Sequence, residues 1–419
     1  MLAAPIQYRP DLSQIVPNRA MVPREAAVAF GRATQSREMS IDEIKAKHFA
    51  WSRGSSFAGH ADAVADLDRY LDGMHGRVAM FELGVETATE TFYLIEHLRR
   101  TTCLDVRPMF RLARFNHYGG LPGDEPEVVD PSSAAAAQYT RPAGVTSDQP
   151  ALPVYVIDSG YAPNHAWAPN PDFNSTRIEP LRPCDLALAT GAKSASHGTF
   201  VACVIAAISP NSEVRVLAVD LDKVGTHEPH KGDENKADAE ETSIASAINR
   251  VIEDVGETPA LLNMSFGAYP LFMRNESGAY EEVRPLELEL AMRRLVLRTN
   301  VKPLAAGGNQ FPHDTEPFVL PYPAGFKGVV DVGALDREDR WVLWDESAVM
   351  QLANAMWTGA PGSYAPGVKL WAPGGPELVQ WSGSSFAVAV QTGVWARTGE
   401  LAPYGQLKVA TWADYPYHA

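Results

Sequence analysis

Past residue 150 the chain repeats one pattern: a short β-branched run, a longer segment with helical spacing, then another such run. VYVID (154–158), EVRVLAVD (213–220), ALLNMSF (260–266), KPLAAG (302–307) and VVDVGALD (329–336) read as strands. Between them HGTFVACVIAAIS, SIASAINRVIEDVG and LELELAMRRLVLR read as helices. Parallel neighbours need long crossovers, which helices supply. The order therefore predicts an α/β fold, a mostly parallel sheet with helices on both faces. In such sheets reactive groups gather beyond the carboxyl ends of the strands.

Residues 119–150 break the pattern, being rich in Pro, Gly, Ser and Ala without sustained apolar periodicity. They read as a flexible linker between residues 1–118 and a main domain at 151–419. Upstream, Val64, Leu67 and Leu71 mark a helix that Gly73 is expected to stop, and RVAMFEL (77–83) reads as a strand. A second helix opens on a Thr87, Glu90 capping-box pattern and carries Phe92, Ile95 and Leu98 on one face. Leu104, Val106, Phe110 and Leu112 then alternate as a strand. The expectation is a small N-terminal α/β module.

Four residues at strand ends and helix starts carry the chemistry. Asp158 ends VYVID ahead of a Ser-Gly turn, so its carboxylate can face a cleft. His197 stands where an apolar helix begins, and Ser385 lies between a glycine turn and the helix of WSGSSFAVAVQTGVWA, close to backbone N–H donors. Asn309 follows a strand and offers an amide to a developing oxyanion. Taken singly, a turn aspartate, a hydrogen-bonded structural histidine, an N-cap serine and a turn asparagine are the commoner explanations. All four would have to coincide in the order Asp, His, Asn, Ser.

That order carries a resemblance. VIDSG, SHGTFVA, AAGGN and GSSFA are similar to the four signature blocks of the subtilisin-like serine proteases, in the family's order. LNMSFG (262–267) resembles the substrate-lining strand, and YPAGFKGVVDVGALD and WAPG (371–374) match further segments, so the likeness covers roughly 151–400. It implies peptide-bond hydrolysis through an acyl-enzyme, with Ser385 as nucleophile, His197 as base and acid, and Asp158 orienting the imidazole. Asn309 and the Ser385 N–H would hold the oxyanion. Met264, Ser265, Phe266, Gly267, Gly307 and Gly308 would line the bound peptide. The alternative class is a catalytically silent peptide-binding or scaffolding protein, against which the intact triad blocks argue.

Some positions depart from the family pattern. Ser384, Cys203 and Val388 replace its usual threonine, glycine and proline, and Pro321 stands where glycine often floors the primary specificity pocket. GSSFA also occurs at 54–58, but Ser56 precedes the Asp and His blocks and has no long apolar helix behind it. Many relatives carry an α/β prodomain, so residues 1–118 would be a built-in inhibitor or chaperone, or else an adaptor.

With 36 basic against 51 acidic residues the net charge is −15, which opposes nucleic acid and acidic membranes and favours polypeptide partners. The block 220–241 holds eight acidic residues against three lysines and reads as a solvated loop, with basic-peptide selection as the functional alternative. His227 and His230 within it have weak metal spacing. Three scattered cysteines and an N-terminus without a basic and apolar leader point to the cytoplasm. The chemistry requires no cofactor, and no structural calcium site is assignable.

Overall fold

The computed structural model describes residues 12–48, 61–111, 127–128, 151–161, 178–181, 195–219, 239–269, 271–308, 320–335, 357–361, 370–373, 378–381 and 383–401. In the N-terminal module β1 (Ile15–Pro23), α1 (Ala27–Thr34), β2 (Arg37–Glu38), α2 (Ile41–His48), α3 (Ala61–His75), β3 (Val78–Glu82), α4 (Ala88–Thr102) and β4 (Arg107–Phe110) follow in order. The four strands lie as β2-β3-β1-β4. Because β3 and β4 each pair antiparallel with β1, they run parallel to one another with β1 between them, a split β-α-β arrangement.

The capping box predicted for α4 forms in full. Thr87 accepts from the Glu90 N–H, and the Glu90 carboxylate accepts from the Thr87 N–H. Phe92, Ile95 and Leu98 are buried as expected. The expected stop at Gly73 is corrected: α3 runs on to His75, since burial of Met74 outweighs the modest helix cost of one glycine. The strand expected around Leu104 to Leu112 is shorter, at Arg107–Phe110, and Leu112 lies outside the described residues.

β5 (Glu127–Val128) follows the module, and in the main domain come β6 (Val154–Asp158), β7 (Ile178–Pro180), α5 (Ala195–Ile208), β8 (Val214–Ala218), α6 (Glu241–Val255), β9 (Ala260–Met264), β10 (Leu271–Arg274), β11 (Tyr280–Val283) and α7 (Leu286–Val296). Then follow β12 (Val301–Ala306), β13 (Val330–Leu335), β14 (Trp357–Pro361), β15 (Leu370–Pro373), β16 (Leu378–Trp381) and α8 (Ser384–Thr398). Seven strands form one sheet in the order β14-β13-β12-β9-β6-β8-β7. Every pairing in it is parallel. The architecture is the predicted α/β fold.

Alternate residues of these strands feed two apolar cores. One face of β6 (Val154, Val156) packs with α5 and α8, and the other (Tyr155, Ile157) with α6 and α7. The second core continues without a break into the module, whose Tyr70, Met109 and Phe110 belong to it. Such shared apolar burial, at ~25 cal/mol per Å², is what fixes the module on α6 and α7.

Polar groups complete that junction. The Phe110 N–H donates to Glu241 Oε1 and the Glu287 N–H to Glu241 Oε2, both at 2.9 Å. Arg107 donates to Glu289 at 2.7 Å, Arg99 to Glu281 at 3.0 Å, and the Tyr70 hydroxyl bonds Glu287. Burial pushes the Glu241 carboxyl up to about 8 against those two amide bonds. Reading the acidic block as solvated surface therefore fails at its end, where Glu241 is fully buried; residues 220–238 lie outside the described residues.

Within 119–150, Glu127 and Val128 pair antiparallel with Gln380 and Val379 of β16. No helix among the described residues is long and apolar enough to cross a membrane.

Candidate active site

Asp158 closes β6 with no solvent exposure, and its Ser-Gly turn wraps the carboxylate. The Ser159 N–H donates to Asp158 Oδ1 at 2.7 Å, while Ser159 Oγ accepts from the Gly198 N–H at 3.0 Å. That second bond ties the turn to the first turn of α5. It sets His197 against the carboxylate, with Nδ1 at 2.8 Å from Oδ1 and 3.1 Å from Oδ2. A bond from Nδ1 to a buried carboxylate fixes the ring's tautomer and leaves Nε2 as the basic nitrogen.

Glycine is required where α5 meets the turn. A Cβ on Gly198 would lie 2.3 Å from the Gly160 carbonyl oxygen and 3.1 Å from Asp158 Cβ. Gly160 itself has φ of 107°, a left-handed conformation that favours glycine. The paired glycines admit the approach that joins His197 to Asp158.

Ser385 occupies the first turn of α8, after Gly383, whose φ of 152° again favours glycine. Phe386 beside it packs on the His197 ring at 5.4 Å and on Phe200 at 4.5 Å between centroids. The start of α8 is thereby seated against the start of α5. Ser385 is half-buried, and its hydroxyl donates to the Ser265 carbonyl at 3.0 Å. In return Ser265 Oγ lies 2.9 Å from the Ser385 carbonyl and 2.9 Å from Asn263 Oδ1, so its single hydrogen serves one of the two. Asn263 is held in turn by a 3.1 Å bond to Thr392 of α8.

The structure thus brings Asp158, His197, Ser385 and the edge Met264–Gly267 to the carboxyl ends of β6 and β9. Gly307 and Gly308 extend β12 into the same region, where the Gly308 N–H donates to Ser384 Oγ at 3.2 Å. Asn309, Ser56, His227 and His230 lie outside the described residues. Sequence reasoning placed Ser159 in the turn but missed its bond to Gly198, the packing of Phe386 and the Asn263 to Thr392 link. An asparagine inside the apolar run ALLNM was the one available signal. Among the described residues no three metal-ligating side chains cluster. Burial pushes the Cys203 thiol well above the usual range, in keeping with an inert packing residue.

A family model for subtilases matches residues 151–416. The chain belongs to the subtilase family. It is accordingly a serine-type endopeptidase acting on polypeptides. Among solved structures, a mutant of the epidermin leader peptide processing serine protease (EpiP) from Staphylococcus aureus is 12% identical, with a TM-score of 0.51. That match covers 90% of this chain and 88% of the other, so the shared fold extends beyond the catalytic domain into the module. The prenylagaramide maturation protease PagA is 22% identical over 59% of this chain and 75% of its own, with a TM-score of 0.41. No curated protein matches the chain.

Proposed function

We propose that this subtilase cleaves peptide bonds through an acyl-enzyme on Ser385, with His197 as general base and acid and Asp158 as its orienting carboxylate. The observation that carries the reading is the buried pair of Asp158 with His197 Nδ1 at 2.8 Å, seated against the helix start that presents Ser385. Ser385 Oγ bonds to the scissile carbonyl carbon while its proton passes to His197 Nε2. The carbon–nitrogen bond then breaks as the imidazolium returns that proton to the leaving amine, and water repeats the cycle on the ester. Asn309 and the Ser385 N–H hold the oxyanion. An extended peptide pairing with Ser265–Gly267 competes for the Ser265 carbonyl and so releases the Ser385 hydroxyl towards the imidazole.

Residues 1–118 serve in this reading as a built-in inhibitor or folding aid. One observation supports it: the module covers α6 and α7 through buried contacts. Three cysteines without disulfide spacing support a cytoplasmic setting, which cell fractionation checks.

An active-site fluorophosphonate tests the assignment. It should label the chain on Ser385, and Ser385→Ala, His197→Ala or Asp158→Ala should each lower kcat by ~10⁴ or more, while Ser56→Ala changes little. Asn309→Ala should lower kcat by ~10² to 10³ with KM little changed. Near-normal turnover by Ser385→Ala would refute the triad, and a chain that neither labels nor cleaves would favour the silent peptide-binding alternative.

A further inference from the structure

Two backbone segments wall the space beside Ser385. Ser265–Gly267 follow β9, and the Ser265 carbonyl accepts from the Ser385 hydroxyl at 3.0 Å while Ser265 Oγ lies 2.9 Å from the Ser385 carbonyl. Gly307–Gly308 follow β12 and reach Ser384 through the Gly308 N–H. With a peptide paired to the first wall, as the proposed function has it, the side chain just before the cleaved bond would enter the slot between the two.

A third segment closes that slot. Tyr322 and Ala268 form an antiparallel bridge, N–H to carbonyl in both directions at 2.8 and 3.0 Å, which draws Pro321 up under the first wall. A Cβ built on Gly267 would lie 2.8 Å from Pro321 Cβ and 3.3 Å from its Cγ. On the opposite wall, a Cβ on Gly308 would lie 3.4 Å from the same Pro321 Cγ and 2.4 Å from the Tyr269 hydroxyl oxygen. One pyrrolidine ring therefore lies within reach of the Cβ position on either wall, and a phenol stands beside it. Pro321 is buried and held by the bridge; Tyr269 is half-buried.

We propose that Pro321 and Tyr269 occupy the primary specificity slot, so that the enzyme selects peptides carrying a small residue, glycine, alanine or serine, immediately before the cleaved bond. This rests on the reading of Ser385 as nucleophile and adds the substrate class to it. A flat aromatic ring needs van der Waals clearance on both faces, and here the Pro321 ring already crowds the side-chain positions of both walls. Discrimination by shape in an apolar slot amounts to about 10- to 200-fold per methylene-sized misfit, so a phenylalanine side chain should be rejected strongly.

The test uses the full chain and fluorogenic peptides identical except for Gly, Ala or Phe before the cleaved bond. Fluorophosphonate labelling, which places no amino-acid side chain in the slot, reports the nucleophile separately. The expected result is kcat/KM at least ~10²-fold higher for Ala than for Phe. Pro321→Gly should raise turnover of the Phe peptide at least tenfold relative to Ala. Tyr269→Ala should act in the same direction and stands in should Pro321→Gly misfold. A chain that labels but cleaves the Phe peptide within threefold of the Ala peptide overturns the slot assignment and leaves Ser385 standing. A chain that does not label removes the nucleophile reading and this inference with it.

Discussion

Gly198→Ala is the sharpest test of how the proposed triad is assembled. The new Cβ would sit 2.3 Å from the Gly160 carbonyl oxygen, against the ~3.3 Å that carbon and oxygen tolerate. About 1 Å of movement is needed. The neighbours are the Gly160 carbonyl oxygen, its nitrogen at 3.0 Å and Asp158 Cβ at 3.1 Å, and none of them can swing aside as a flexible side chain would. The start of α5 must therefore move away from β6, carrying His197 with it. Its Nδ1 lies 2.8 Å from Asp158 Oδ1, and an added ångström takes the pair beyond hydrogen-bonding distance. A displacement of that size costs about 10² in turnover, and the overpacking costs about 1–3 kcal/mol of stability. The assay is kcat and KM on the Ala peptide together with thermal melting: kcat should fall about a hundredfold while KM, set by the separate Ser265–Gly267 edge, stays close to its starting value. Gly73→Ala is the control, because its Cβ would meet only the Arg77 Nη1 tip at 3.4 Å, and it should stabilise α3 by about 0.5–1 kcal/mol. A Gly198→Ala enzyme turning over within threefold of the parent would refute the argument that this contact sets the His197 to Asp158 geometry.

Asp331 on β13 is fully buried and neither carboxylate oxygen has a hydrogen-bond partner among the described residues; burial pushes its carboxyl up to about 8. A raised carboxyl contributes stability that is complete below its ordinary value of 3.8 and is lost as the pH climbs through about 8, so the parent's melting temperature should fall across that window relative to Asp331→Asn, measured in a Ser385→Ala background. Parallel pH curves for the two would contradict this. Residues 1–118 added in trans to a chain lacking them should inhibit it or speed its refolding, and Arg107→Ala, which takes from the buried Glu289 the one of its two arginine partners that the module supplies, should weaken that action; no effect of the module on either measurement would favour an adaptor role.

Local signals were sufficient where the chain's own neighbours decide the outcome. The Thr87 and Glu90 capping box spans three residues and formed with both bonds. The strand-helix alternation after residue 150 rests on runs that each bury one or both faces, and each of those strands took its place in the parallel sheet. The blocks proposed to carry the triad stand out because glycine turns and helix starts expose polar groups through local geometry. β1 was missed for the same reason. IVPNRAMVP carries two prolines and an asparagine at φ 63°, local marks of a turn. It is nonetheless the strand between β3 and β4, with Asn18 Oδ1 accepting from the N–H groups of Leu83 and Gly84 at 2.8 and 2.6 Å.

By itself, then, the sequence determined the fold class and the strand-helix alternation of the main domain, since these follow from periodicity, capping and turn chemistry within a few residues, and it supplied the residues proposed to react. Tertiary structure alone decided what surrounds those groups. Glu241 passed from charged loop to buried acceptor because Phe110, 131 residues earlier, covers it. Pro321 lies beside Gly267 and Gly308 because of a bridge to Ala268 across 54 positions of sequence (322 − 268). His197 meets Asp158 because two glycines let separate elements approach. Such contacts join residues far apart along the chain, and their energies exist only once both elements are in place, so no local pattern records them.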